Sequence, residues 1–203
     1  MSSTASEVDI CNMALGWLGS EGIMSLDDPS TQAILCKLNY PRSRDVTLEA
    51  REWTFAVYRI VLTPEIDAPE FQWTKKLLIP TDMLTVLTVD RENNAEQGLM
   101  TNSMYQQEQA AWVREGQYIL CDLDVAYVRG IKRIEATTLF SESYVHALAA
   151  RLAMDLAIPI TRSKTLLQGM TALYMAKLQD AAAIDGLQGR SQRIRSRYLS
   201  KVR

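Results

Sequence analysis

A chain of 203 residues with 47% hydrophobic and 23% charged side chains has the make-up of a globular protein, large enough to bury a core without metal or disulfide support. Its formal charge of −2 conceals an asymmetry: of 22 basic side chains, six follow the last carboxylate, Asp185, which leaves 16 basic against all 24 acidic ones before it. An acidic body with a basic arm excludes a uniformly basic nucleic-acid binder and implies a partner for the arm.

In chain order, the first helix is expected from a cap at Ser3, Thr4 or Ser6, with Val8, Ile10, Cys11, Ala14, Leu15 and Leu18 at helical spacing and Gly19 and Gly22 ending it. Leu26-Asp27-Asp28-Pro29-Ser30 signals a second start, with an acidic cap and proline in the first turn. That helix runs to about Ala50 through Ala33, Ile34, Cys36, Leu38, Val46 and Leu48, and Pro41 within it predicts a kink or a restart. From Trp53 the pattern turns aromatic and β-branched. Residues 53–62 read as a strand or extended segment stopped by Pro64. Further strands are expected at 76–79, 83–89, 111–114, 118–121 and 125–131, with a hairpin turn at Glu115-Gly116-Gln117 and another turn at Asp122-Leu123-Asp124. The polar stretch 91–109 reads as a long loop. Helical periodicity returns near Ile134. Leu139, Phe140, Tyr144, Leu148, Leu152 and Leu156 share one face, alanines between them permit close helix contact, and Pro159 is expected to break the helix. Thr161 or Ser163 then caps a last helix to about Ile184, ended by Gly186 and Gly189. The fold class is α+β: mainly a helical bundle of about four helices (residues 1–50 and 134–185), an inserted antiparallel β-rich domain (51–133), and an extended basic C-terminal arm (186–203).

Chemistry finds little purchase in this chain. The single histidine, His146, removes most metal sites and histidine-based catalytic arrangements, and reads as a helix-face or interface residue. Cys11, Cys36 and Cys121 are odd in number and set among apolar residues, which reads as buried free thiols in a reducing compartment. No phosphate-binding glycine pattern occurs, and no cofactor or metal is expected. Four carboxylate pairs (Asp27/Asp28, Glu49/Glu52, Glu65/Asp67, Asp122/Asp124) are the material for a glycosidase. That chemistry requires two carboxyls facing one cleft about 5–10 Å apart. Trp53, Trp73 and Trp112 in the insertion read as core packing or as contributors to a subunit interface. The N-terminus MSSTASEVDI lacks a basic region followed by an apolar one, and no apolar run approaches the roughly 18 residues of a bilayer span, so a cytoplasmic origin and no membrane association are expected.

The arm is the strongest local signal. Arg190, Arg193, Arg195, Arg197, Lys201 and Arg203 are interspersed with Ile194, Tyr198, Leu199 and Val202. Three readings stand side by side: phosphate contact with Tyr198 available for stacking, docking onto a partner protein with ordering on binding, or a solvated terminus. The regular apolar residues favour docking, because a solvated tail has no need of them.

The order of several landmarks carries a resemblance. These are Ala14-Leu15-Gly16-Trp17-Leu18-Gly19 with Ile23, Leu26 and Asp28; Ala33-Ile34-Leu35-Cys36 leading to Tyr40-Pro41 and Arg44-Asp45; Trp53-Thr54-Phe55-Ala56; Leu78-Ile79-Pro80-Thr81-Asp82-Met83; Arg114 to Leu120; Ala147 to Ala153; and Pro159-Ile160-Thr161. Together, across roughly residues 8–185, they resemble the tail tubular protein A family of short-tailed bacteriophages (podoviruses), the head-to-tail adaptor or gatekeeper subunits below the portal. The resemblance implies a helical bundle with an embedded β domain, copies arranged as a dodecameric ring, and a place in the virion tail after assembly in the host cytoplasm. It implies the portal protein and the tail nozzle protein as partners, with genomic DNA passing through the ejection channel without sequence-specific binding. It also implies that the C-terminal segment reaches the portal, the role for which Arg190–Arg203 is placed. It supplies no catalytic residues.

Overall fold

A computed structural model describes residues 5–91 and 111–188, the last two as backbone only. The architecture is α+β, with four α-helices and two small antiparallel three-stranded sheets among the described residues. The expected loop at 91–109 and the arm at 190–203 lie almost wholly outside the described residues.

Helix α1 spans Glu7–Trp17 and is fixed by a reciprocal cap: Asp9 N–H donates to Ser6 Oγ (3.2 Å) while Asp9 Oδ2 accepts from Ser6 N–H (2.9 Å). Helix α2 spans Thr31–Glu49, and its cap is Ser30, whose Oγ accepts from Ala33 N–H. The expected acidic cap is therefore displaced. Asp28 instead closes the preceding turn by accepting from the Met24 and Ser25 amides. Nor does Pro41 cause a restart: α2 passes through it as one helix. Proline costs about 3 kcal/mol in a helix interior, and here packing outweighs it. Tyr40, Ser43, Arg44, Thr47 and Leu48 are all buried, and Ser43 Oγ donates to Asp155 across the helix interface (2.8 Å).

Helix α3, Glu142–Thr161, is the central rod, touching α1, α2 and α4. It begins later than the periodicity from Ile134 suggests, because Ser141 caps it and a 3₁₀ turn, Thr137–Leu139, precedes it. Leu139 accordingly faces solvent at 55% exposure, whereas Phe140, Tyr144, Leu148, Leu152 and Leu156 are buried as the pattern predicts. Pro159 does not break α3. It stands in the final turn, where only one backbone hydrogen bond is lost, and Thr161 Oγ1 donates to the Ala157 carbonyl (2.6 Å) before Arg162 closes the helix in a left-handed conformation. Helix α4, Lys164–Gln188, is capped by Ser163 (Leu166 N–H to Oγ, 3.2 Å) and runs through Gly186, beyond the expected end. Buried Ala147, Ala149, Ala150, Ala153 and Ala157 let the neighbouring helices approach α3 closely.

The strands are β1 (Val57–Leu62), β2 (Lys75–Leu78), β3 (Met83–Asp90), β4 (Trp112–Glu115), β5 (Tyr118–Cys121) and β6 (Ala126–Lys132). One sheet has the order β1-β6-β3 and the other β2-β5-β4, all pairs antiparallel. Leu62, Val89, Ala126 and Val128 from the first meet Leu77, Ile119 and Cys121 from the second in a separate core, so the sheets pack face to face. The expected hairpin joins β4 to β5, with Gly116 at φ 58° pairing Glu115 with Tyr118. Gly130 in β6 has a different reason. A Cβ there would strike the Thr85 carbonyl oxygen and lie 2.9 Å from Met83 Sδ, and it is opposite this point that β3 shifts register twice.

The first strand starts at Val57, not Trp53. Trp53 is fully buried in the helical core, donates Nε1–H to the Thr47 carbonyl (2.8 Å) and stacks edge-on to Tyr144 at 5.0 Å. Ala56 and Ile131 join the same core, and Lys132 N–H donates to the Ala56 carbonyl (2.9 Å). Burying an indole with its N–H satisfied outweighs the β-propensity of the local sequence.

Candidate functional site

The junction between bundle and sheets is hollowed into a cleft of about 630 Å³. Its floor is the bundle-side face of the first sheet, with Val57, Leu87, Ile131 and Arg129. Its walls are the end of α2 with the turn after it (Glu49, Arg51, Glu52, Trp53, Thr54) and the end of α4 (Ala182, Asp185, Gly186). Asp185 is only 6% exposed, and both its oxygens accept from one residue: Thr54 N–H at 3.0 Å and Thr54 Oγ1–H at 2.7 Å. Glu52 accepts from Arg129 Nη2 (2.8 Å), while Arg129 Nε is buried with no hydrogen-bond partner among the described residues. In register, Arg59 stands directly opposite Arg129 on the same sheet face. Like charges so placed repel, and Glu52 is the one carboxylate paired with them among the described residues.

Of the four carboxylate pairs, only Glu49/Glu52 lines this cleft. Glu49 is exposed at the end of α2, and Glu52 is tied to Arg129. Carboxylate-pair glycoside hydrolysis needs both carboxyls directed at the substrate, and Glu52 is already engaged by Arg129. The other pairs serve local structure. Asp27 pairs with Lys37 (2.6 Å), whose ammonium holds its carboxyl below the usual range. Asp122 accepts from Thr74 N–H and Oγ1–H (2.9 Å each), and these bonds lower its pKa. Glu65 pairs with Lys76 (3.7 Å) and Asp124 with Lys75 (3.1 Å).

His146 lies exposed on α3. All three cysteines are buried and free. A hydrogen bond to Cys36, then burial, pushes the Cys11 thiol far above the ordinary range, and burial raises Cys121, so these two stay protonated. Among the described residues no cluster of histidine, cysteine and carboxylates could hold a metal ion, and no described helix is long and apolar enough to cross a membrane. The nine arm residues singled out from the sequence, Arg190, Arg193, Ile194, Arg195, Arg197, Tyr198, Leu199, Lys201 and Arg203, lie outside the described residues.

Sequence reasoning missed the exposed apolar surface. Ile34 (59% exposed) and Leu38 (55%) form a stripe on the outer side of α2, Met175 (53%) projects from α4, and Ile66 (103%) and Phe71 (79%) stand out from the β1–β2 connection. The α2 residues sit in the same helical pattern as its core positions, so composition alone could not separate them. The signal for Ile66 and Phe71 was available: large apolar residues between Pro64, Pro69 and three carboxylates have no strand or helix to pack from. No protein-family model matches the chain, and no curated protein matches it.

Proposed function

We propose that the protein is a structural virion subunit, an adaptor that forms a ring with copies of itself and joins a portal to a tail nozzle, continuing the DNA channel without performing chemistry. The observation that carries this reading is the set of separate exposed apolar patches on α2, α4 and the β1–β2 connection, on a body with a strongly basic terminal segment. A ring subunit has two neighbours, a partner above and one below, and needs several distinct sticky surfaces. An acidic body also suits a DNA channel, because a negative wall repels phosphates and lets the duplex slide. The basic segment 190–203 would dock onto the portal.

The test is deletion of residues 190–203. The truncated protein should fold as the full chain does yet fail to attach to purified portal in electron micrographs of the mixture. Normal complexes would overturn the assignment of the arm. The carboxylate-pair glycosidase has one observation in its favour, the shared placement of Glu49 and Glu52 in the cleft. It predicts lysis of purified cell walls that Glu52→Gln abolishes, whereas the adaptor predicts no lysis at all.

A further inference from the structure

The two cysteines of the helical core are placed as a pair. Cys11 on α1 and Cys36 on α2 are both fully buried in that core, whereas Cys121 lies in the separate core between the sheets, which holds no other cysteine. Helices α1 and α2 touch and fold back on each other through residues 18–30, and Gln32 Nε2 in the first turn of α2 donates to Ser20 Oγ just beyond α1 (3.4 Å). At about 1.5 Å per residue, Cys11 lies about 9 Å before the end of α1 and Cys36 about 7.5 Å after the start of α2, so the fold-back brings them level. The next turn of each helix matches in the same way. Glu7 precedes Cys11 by one turn, Tyr40 follows Cys36 by one turn, and the charge of Glu7 acts on the Tyr40 hydroxyl. Between the helices the sulfurs meet, with the Cys11 thiol donating a hydrogen bond to Cys36 Sγ.

That bond gives the two sulfurs different characters. It holds the proton on Cys11 and draws the Cys36 thiol below the ordinary range, because a thiolate at Cys36 keeps its donor. Cys36 is therefore the nucleophile of the pair and Cys11 the thiol that resolves it. Burial by itself accounts for a single inert thiol such as Cys121. Packing does not require two thiols in contact across the seam between two helices.

We infer that Cys11 and Cys36 form a disulfide when the protein meets hydrogen peroxide, a covalent lock between α1 and α2 that reducing surroundings keep open. Full burial selects a small, uncharged oxidant. Cys36 Sγ attacks one peroxide oxygen, the O–O bond breaks, and the departing hydroxide takes up the Cys36 proton as water. Cys11 Sγ then attacks the sulfenic sulfur of Cys36, whose hydroxyl leaves with the Cys11 proton as a second water. Two thiols and one peroxide thus become one disulfide and two waters, with the sulfurs oxidised and the peroxide oxygens reduced. The bond closes a loop over residues 11–36. By restricting the unfolded chain it raises the melting temperature by roughly 5–10 °C in a protein of this length. The lock needs neither a ring nor a portal.

The test treats the folded full-length protein with hydrogen peroxide, unfolds it in the presence of an alkylating reagent, and maps the thiols by peptide mass spectrometry. The expected product joins the Cys11 and Cys36 peptides with the loss of two hydrogens and leaves Cys121 alkylated. Its melting temperature should fall by the stated shift when dithiothreitol reopens the bond, a comparison that leaves any methionine sulfoxide in place on both sides. In Cys11→Ser, Cys36 should stop at the sulfenic acid and be trapped by dimedone, whereas in Cys36→Ser the Cys11 thiol should stay free. Should either variant fail to fold, the natural protein still decides the matter. Three free thiols after peroxide, a disulfide that includes Cys121, or a Cys11–Cys36 bond whose reduction raises the melting temperature overturns the inference.

Discussion

Asp185 is the residue whose replacement says most about how this molecule is held together. It sits near the end of α4, is 6% exposed, and spends both carboxylate oxygens on Thr54, the residue between the buried Trp53 and the start of the first sheet. Hydrogen bonds to a charged acceptor contribute about 1.5–3 kcal/mol each. Part of that gain is offset by the cost of keeping a carboxylate out of water, so Asp185→Ala should lose about 3 kcal/mol in all. Asp185→Asn should be milder, about 1 kcal/mol, because Oδ1 can still accept from the Thr54 amide while the Thr54 hydroxyl turns to accept from the new NH₂. In urea denaturation followed by circular dichroism, with a slope near 2 kcal/mol per molar, the alanine variant's midpoint should fall by roughly 1.5 M and the asparagine variant's by about 0.5 M. An alanine variant within a few tenths of a kilocalorie of the natural protein would refute this account of the latch. So would an asparagine variant as damaged as alanine.

Three further outcomes follow from local geometry. Gly130→Ala should cost about 2–3 kcal/mol and lower the melting temperature by roughly 5–10 °C, because the new Cβ meets the Thr85 carbonyl and Met83 Sδ; Gly169→Ala, with open space around it on α4, should instead stabilise by about 0.5–1 kcal/mol in the same calorimetric scan. Asp122 is held below its ordinary pKa by Thr74, so its contribution is present above the unfolded value of about 3.9 and is lost as pH falls through the lower folded value. The natural protein should therefore exceed Asp122→Asn in stability by a constant margin from pH 5 to 7, and that margin should shrink below about pH 3.9 in acid-dependent urea midpoints.

The elements that were legible in the amino-acid sequence are those decided locally. The β4–β5 hairpin follows from one glycine at a position needing positive φ, and the buried stripe of α3 follows from spacing alone. What escaped was decided by distant partners. Trp53 looks like the head of a strand, yet its indole is worth more against Thr47 and Tyr144, which lie on α2 and α3. Pro41 and Pro159 look like breaks, but each is overruled by packing or by its position in a last turn. The cleft escaped for the same reason. Its lining comes from residues 49–57, 85–87, 129–131 and 182–186, four stretches that no local pattern connects. The carboxylate pair Glu49/Glu52 was visible as a pair, but the guanidinium that occupies Glu52 comes from β6, 77 residues away.

These distant ties also decide how rigid the molecule is. Bundle and sheets have separate hydrophobic cores, which by itself would allow the β portion to swing on a hinge. The junction opposes that. Trp53, Ala56 and Ile131 are buried in the helical core, Arg133 pairs with Asp45 of α2 at 2.8 Å, Lys132 N–H donates to Ala56, and Asp185 closes on Thr54. A swing would have to break buried packing and several hydrogen bonds at once, a cost of many kcal/mol where a hinge tolerates little. The exposed apolar patches on α2, α4 and the β1–β2 connection are therefore carried at fixed spacings. Head-to-tail copies close into a ring only when every contact imposes the same rotation; a subunit that flexed between its two contact faces would give open chains of varying curvature instead.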